Sequence, residues 1–382
     1  MDLTGQREFD ARLTLELARE EGNLFVSPFS AWSLLALLCP GSRGETRDRL
    51  SGVLGLPTDA FDEGLITELR ELTSSLKNVR ARSLEDREPP RSLDLIIANA
   101  LWIQTGSLLE PTYLAQIREG FDARIEELDL TGKPTAACET INRWADENTR
   151  GKIDQVLSPD QIGSLTRLIL SNATYFKDDW AEKFDPEATR IERFHRLEGR
   201  KVEVSMMHQT GSFDYFEDKS LQAIRLPYAH EGLSMVVVLP RRIRKFEASL
   251  SPQSLDQIFA SLRWELPVHL ALPKCQIRDQ LVLVPPLKAM GLETLFDESA
   301  DLSGISPEPG VQVDQVKQVT FVQVDEQGTE AAAVTIATVT GAALHEVAPE
   351  PKQMIVDRPY WFFIRHDPSG CLLFAGRVED PS

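Results

Sequence analysis

Hydrophobic positions change their period along this chain. In residues 6–21, Phe9, Leu13, Leu15 and Leu17 recur among charges at helical spacing. A second helix is expected to open at Ser27-Pro28, a hydroxyl able to cap followed by the residue best tolerated at the first helical position, and to end at Pro40-Gly41. Gly44 to Leu54 and Asp59 to Leu76 keep that periodicity, and residues 136–148 place Ile141, Trp144 and Ala145 on one face. One strand, LDLIIANALWI (93–103), interrupts these helices. Strands then dominate: RLILSNATYF (167–176), LSMVVVLP (233–240), VHLALP (268–273), VTFVQVD (319–325), YWFFIRH (360–366) and CLLFAGRV (371–378) are β-branched or aromatic runs bounded by turn residues.

Several runs are apolar continuously rather than alternately, which predicts strands covered on both faces. The fold class expected is α+β with large sheets. No Pro/Ser/Gly-rich segment separates two halves, so residues 1–382 are read as one domain although the chain exceeds the roughly 100–200 residues usual for one. The stretch RARSLEDREPPRS (80–92) reads as a charged surface loop whose arginines alternate with acids.

Charge narrows the partners. Lys plus Arg total 41 against Asp plus Glu 59, and a formal net charge of −18 opposes the counterion release that drives binding to nucleic acid or anionic membrane, so neither is expected. No run approaches the roughly 20 apolar residues that span a bilayer. MDLTGQREFDARL lacks a basic and then apolar leader, so the chain is expected to stay in the cytoplasm or to be secreted without a recognisable signal. Cys39, Cys138, Cys275 and Cys371 lie about a hundred residues apart, neither zinc-ligand spacing nor a dense disulfide framework; four separate buried thiols in a reducing compartment are expected.

Catalytic signatures are missing. No two of the six histidines stand at a metal-ligand spacing such as HExxH, and no GxSxG elbow, GxxxxGK[ST] loop or strand-borne GxGxxG occurs. The chain is read as a non-enzyme with neither metal nor cofactor.

One segment breaks the ordinary pattern. Between Glu330 and Glu346 runs AAAVTIATVTGAALH, uncharged and without proline, strand-forming chemistry that is a hazard beside any free sheet edge. An interior strand or Ala-rich helix is one reading. The other is a mobile loop, because the run follows Gly328 and precedes the proline-bearing APEPKQ (348–353), which looks like surface loop. As a strand it would turn Thr329, Ala331, Ala333, Thr335, Ala337 and Val339 to one side, and Glu330, Ala332, Val334, Ile336, Thr338 and Thr340 to the other. The first set is small enough to enter a packed sheet without an overpacking cost of roughly 1–3 kcal/mol per misfit.

Taken in order, NLFVSPFSAWSLLALLCPGSRGET (23–46), INRWADENTRGKI (141–153), NATYFKDDWAEKFDP (172–186), VEVSMMHQTGSFDYF (202–216), LPYAHEGLSMVVVLP (226–240), LETLFDESADLSGIS (292–306), VDEQGTEAAAVT (324–335) and RPYWFFIRHDPSGCLLFAGRVEDP (358–381) resemble serpin blocks in serpin order. A single block would be weak. The succession over nearly the whole chain makes it similar to the serpin (serine protease inhibitor) superfamily.

That resemblance implies a serpin fold: one domain of three β-sheets with eight or nine helices and an exposed reactive-centre loop, here about 329–357. Inhibitory serpins are suicide substrates: a serine protease, sometimes a cysteine protease, attacks the loop and is trapped as acyl-enzyme when the cut loop inserts into the central sheet, an established instance of strand addition. A partner protease and a monomeric inhibitor are therefore expected. Inserting about 15 residues at about 3.3 Å each would carry the protease on the order of 50 Å, and misplacement by about 1 Å can already cost a hundredfold in rate.

The resemblance also assigns positions. The inhibitory hinge resembles EExGTEAAAxT, which Glu326-Gln327-Gly328-Thr329-Glu330-Ala331-Ala332-Ala333-Val334-Thr335 follows closely; a non-inhibitory serpin-fold binding or chaperone protein is the alternative. Ser27, Ser30 and Asn172 look like the polar cluster beneath the sheet where strands must part, with Gln318 in place of the usual histidine. An amide bonds both ways but does not titrate near pH 6.5. Trp180, Lys274 and Glu326 resemble the group at the mouth where the loop enters, though plain packing and an ion pair account for them equally well. Counting along the loop places the reactive bond between Ala342 and Ala343, which suits elastase-like enzymes. A long return segment leaves Leu344, suited to chymotrypsin-like or subtilisin-like proteases, or Val347 as alternatives; no Lys or Arg between Gly328 and Lys352 favours a trypsin-like target.

Overall fold

The continuous apolar runs become the inner strands of two sheets. A computed structural model describes residues 4–56, 70, 74–76, 80, 93–121, 123–197, 199–308, 310–329 and 350–382. In chain order the strands are β1 (Leu24–Val26), β2 (Asp94–Gln104), β3 (Ala123–Leu128), β4 (Leu168–Asp179), β5 (Arg190–His195), β6 (Lys201–Glu217), β7 (Leu221–Pro227), β8 (Leu233–Pro240), β9 (Arg263–Pro273), β10 (Cys275–Val282), β11 (Gln315–Val324), β12 (Gly328–Thr329), β13 (Lys352–Ile355), β14 (Tyr360–His366) and β15 (Cys371–Val378). A nine-stranded sheet runs β1-β15-β14-β8-β7-β6-β9-β13 with β5 beside β6, and a six-stranded sheet runs β10-β11-β12-β4-β2-β3. The long strand β6 joins the parts of the larger sheet: β5 pairs with its Lys201–Met206 end, β7 with its Asp214–Glu217 end, and β9 with Met206–Tyr215 between them, the register shifting between Gly211 and Phe213.

Strand type follows burial. Along β8 and β15 every residue is buried, which is why those runs are apolar without alternation. The strands the apolar pattern does not announce are one-sided or marginal. ARIEEL of β3 is charged because it lies at the edge of the six-stranded sheet, and β10 alternates buried Cys275 and Ile277 with exposed Gln276 and Arg278. The expected loop APEPKQ is corrected at its end: Lys352 and Gln353 open β13, which pairs in parallel with β9 at His269 and its neighbours.

Among the described residues eight α-helices are present. The first covers Thr4–Leu17, shorter than the 6–21 pattern, because the chain turns after Leu17. The second covers Pro28–Ala36, and a 3-10 turn at Cys39–Gly41 occupies the predicted break. Ser27 does not cap this helix with its hydroxyl, as its position suggested; Oγ donates instead to Leu373 O of β15 at 2.7 Å. Of the helix expected over Asp59 to Leu76, only Arg70 and Ser74 to Leu76 are described, and these are helical; residues 81–92 of the charged loop lie outside the description.

The helix Pro134–Asn148 lies across one face of the six-stranded sheet and buries Ile141, Trp144 and Ala145, the face its periodicity predicts. Trp144 meets Trp102 of β2 edge to face, ring centroids 5.6 Å apart. The opposite face of that sheet packs on the helix Pro28–Ala36 and the nine-stranded sheet. All four cysteines are free and buried, and burial pushes Cys138 and Cys275 up to about 11 and Cys371 to about 12, so the thiols stay protonated. No helix among the described residues is long and apolar enough to cross a membrane.

Gly376 of β15 sits opposite Phe362 of β14, and a Cβ there would stand 2.2 Å from the Phe362 ring. Gly376→Ala should lower the thermal midpoint by an overpacking cost of about 1–3 kcal/mol, with Phe362→Leu in the same chain recovering part of it. A circular-dichroism melt that does not move would refute this packing account.

Candidate functional site at the seam of the six-stranded sheet

Parallel strands β11 and β4 form a seam. They pair directly from Gln315 beside Ile169 to Phe321 beside Tyr175, while their outer neighbours β10 and β2 pair with them antiparallel. Above Phe321 the two strands part, and β12 occupies the gap. Thr329 pairs antiparallel with Val324 on one side and Asp178 on the other, and Gly328 with Asp179. The reversal is local: Gln327 N donates to Asp325 Oδ1 at 2.9 Å and Asp325 N to Gly328 O at 3.0 Å, which turns the chain back between the strands it has just left. Glycine is required, since a Cβ at 328 would stand 2.1 Å from Asp178 O.

Side chains fasten this mouth. Thr329 is fully buried, and its hydroxyl meets Tyr228 OH at 2.7 Å. Tyr228 is stacked on Trp180 at 4.7 Å and meets Phe176 edge to face. Trp180 Nε1 donates to Asp325 O at 2.9 Å, and its backbone N–H to Gln327 O. Glu326 accepts from Lys274 Nζ and from Thr189 Oγ1, each at 2.8 Å. Asp178 and His230 pair at 2.8 Å beneath the surface. Burial pushes the Asp178 carboxyl up against the opposing pull of His230, and it pushes Tyr228 well above the ordinary tyrosine range, so the phenol stays protonated. Burial also pushes the Glu326 carboxyl up, but the bonds from Lys274, its own backbone N–H and Thr189 outweigh it and hold the group below its usual value.

A second polar group crosses the seam lower down. Asn99, Asn172 and Gln318 face one another in register on β2, β4 and β11. Gln318 Nε2 donates to Asn172 Oδ1 at 2.8 Å, Asn172 Nδ2 to Asn99 Oδ1 at 2.7 Å, and Asn99 Nδ2 to Ser33 Oγ at 3.0 Å. Asn172 Nδ2 also reaches Ser30 Oγ. Gln318 bonds Ser27 in both directions, Oε1 accepting from its N–H and Nε2 donating to its carbonyl, each at 2.9 Å. Every bond in this row is neutral, so it holds its pattern across the pH range where a histidine would change charge.

The structure thus brings Ser27, Ser30, Asn172 and Gln318 together in one cluster, and Trp180, Lys274, Glu326, Gly328 and Thr329 in another. Glu330, Ala331, Ala332 and Ala333, and the bond candidates Ala342, Ala343, Leu344 and Val347, lie outside the described residues. Asn99, Ser33, Asp178, Thr189, Tyr228 and His230 join the clusters without having been singled out from sequence; Asn99 alone carried a signal, as a polar residue inside the apolar run 93–103. Among the described residues no group of three or more His, Cys, Asp or Glu is arranged to hold a metal ion.

Comparison with known proteins agrees with this architecture. The family described as Serpin (serine protease inhibitor) matches residues 4–381. An uncharacterized serpin-like protein of Thermococcus kodakarensis is 38% identical over 98% of this chain and 84% of its own length. The leukocyte elastase inhibitor of Bos taurus is 35% identical over 97% of each chain. The crystal structure of Serpin48 from the insect Tenebrio molitor superposes with a TM-score of 0.85 at 31% identity, covering 99% of this chain and 97% of that one. With the family matched almost end to end and its fold present, the chain belongs to the serpins.

Proposed function

We propose that this chain inhibits serine proteases as a suicide substrate, trapping the acyl-enzyme by drawing its cleaved loop into the six-stranded sheet. One observation carries the reading: β12 already occupies the upper gap between β11 and β4, while below Phe321 those strands pair directly and the slot is closed. A strand has begun and its continuation has a defined path.

The register fixes where each further residue would go. Continuing antiparallel from Thr329, Ala331 falls between Val322 and Phe176, Ala333 between Thr320 and Thr174, and Thr335 between Gln318 and Asn172. These positions share the face of the Ser27 and Ser30 cluster, where the space is filled, and the entering side chains are small. Thr335 replaces the amide bond it breaks, because a hydroxyl both donates and accepts. Ala332, Val334 and Ile336 turn to the other face, beneath the helix Pro134–Asn148.

The trap needs an intact chain less stable than the inserted one, with the paired seam as its barrier. Ala342-Ala343 is the bond we assign to the protease, with Leu344 and Val347 the alternatives, and an elastase-like or chymotrypsin/subtilisin-like enzyme as partner. The identity to a leukocyte elastase inhibitor supports this choice.

Mixing the chain with elastase, chymotrypsin and subtilisin should give a denaturant-resistant band near the summed mass with at least one of them; clipping alone with all three would remove the inhibitor reading. Thr329→Arg places a charge where the side chain is fully buried against Tyr228, so the loop should still be cut but the stable band should give way to turnover. A pH test follows from Glu326. A carboxyl held below its ordinary value contributes stability above the unfolded value, near 4.3, and loses it as pH falls through the folded one. The wild type should therefore melt above Glu326→Gln at pH 7, and the gap should narrow as pH falls through the lowered folded value; a gap undiminished in acid would mean the ion pair does not fasten the mouth.

A further inference from the structure

Lys317 has no role in the seam as described, yet it is placed where an ammonium group is costly. It lies on β11 beside Ser171 of β4 and Val282 of β10, on the sheet face opposite to Gln318, and only 6% of it is exposed. Its backbone lies in the ladder, but among the described residues its ammonium group has no hydrogen bond or ion pair. Burial lowers its affinity for a proton. The neighbouring Ser171 hydroxyl is likewise buried and without a partner.

Lys317 lines a cavity of about 320 Å³ between β10, β11 and the segment 155–161 that crosses the sheet. Gln155, Ser158, Gln161 and Gln280 supply the polar part of the wall, and no Asp or Glu lines it. Gln280 Nε2 donates to Gln155 O at 2.5 Å and Gln315 Nε2 to Gln161 O at 2.9 Å, so the crossing segment is fastened to both strands around the opening. A buried cation must be paired or must lose its proton. Here the wall offers a cation with amides and a hydroxyl that are able to donate, and no carboxylate as counter-charge. The volume admits an oxyanion with several waters at about 30 Å³ each.

We propose that this cavity binds a small oxyanion of the phosphate or sulfate class, with Lys317 as its counter-charge and the surrounding amides and Ser158 as further donors. Occupancy ties β11 to the crossing segment. In the register above, Ile336 passes between Lys317 and Ser171, so a held β11 slows the parting of the seam; this consequence rests on the insertion reading, whereas the binding does not.

The test is calorimetric titration of the intact chain with potassium phosphate at pH 7 and low ionic strength, against potassium chloride at matched ionic strength. Saturable binding is expected for wild type and Lys317→Arg, weakened at least about tenfold in Lys317→Met, since a hydrogen bond to a charged group accounts for a factor of that order. Loss of the buried charge should leave the fold intact, and Lys317→Arg guards against a folding defect in the other variant. Sulfate should displace phosphate from the same site. Because such anions raise the melting point of most proteins by exclusion, the gain in wild type must exceed that in Lys317→Met. Wild type that takes no phosphate, or Lys317→Met that takes as much, overturns the site. Binding that depends on Lys317 in a chain that never inserts its cleaved loop supports the site and counts only against the insertion reading.

Discussion

Everything in this molecule is arranged around the hydrogen-bonded seam between β11 and β4. Parallel pairing is slightly weaker per residue than antiparallel pairing, and here a parallel pair is flanked by stronger antiparallel neighbours on both sides. Direct pairing keeps this seam closed from Gln315 to Phe321, and the insertion proposed above would require it to separate.

The two polar clusters make that compromise workable. A purely apolar seam would separate only by opening dry surface, whereas in the proposed insertion Asn99, Asn172, Gln318, Ser27 and Ser30 would exchange one set of neutral bonds for another. Each such bond contributes about 1 kcal/mol net while both partners are satisfied, and leaving one unmet costs more. At the upper end, Trp180, Tyr228 and Glu326 do the opposite: stacking and a charge-assisted bond fix the turn at Asp325–Gln327 and with it the register of Gly328 and Thr329. A fixed upper cluster and an exchangeable lower one would give the proposed insertion its direction.

Much of this was legible in the residues. Continuous apolar runs announced β8, β14 and β15 because both their faces are covered; the Ile141, Trp144 and Ala145 stripe announced the helix over the sheet. The mouth group of Trp180, Lys274 and Glu326 was reachable only through likeness to a family, since they are far apart in the chain and no local pattern joins them. β3, β5 and β13 stayed hidden for a physical reason: strands at a margin carry charge and exposure that local composition does not distinguish from loop. Ser27 misled, because a hydroxyl before Pro28 has the chemistry of a cap, and only the nearness of Leu373 from the far end of the chain drew it elsewhere.

The sequence by itself determined the α+β class, the membership suggested by its ordered blocks, the separation of four thiols that pair with nothing, and the small-residue alternation after Gly328. These are properties of residue type and spacing. Tertiary structure alone decided that β11 and β4 close on each other, that Gly328 and Thr329 already sit between them, and that Lys317 is buried without a counter-charge beside an open polar cavity. Such facts depend on which strands become neighbours, and that is settled by packing among residues more than a hundred positions apart.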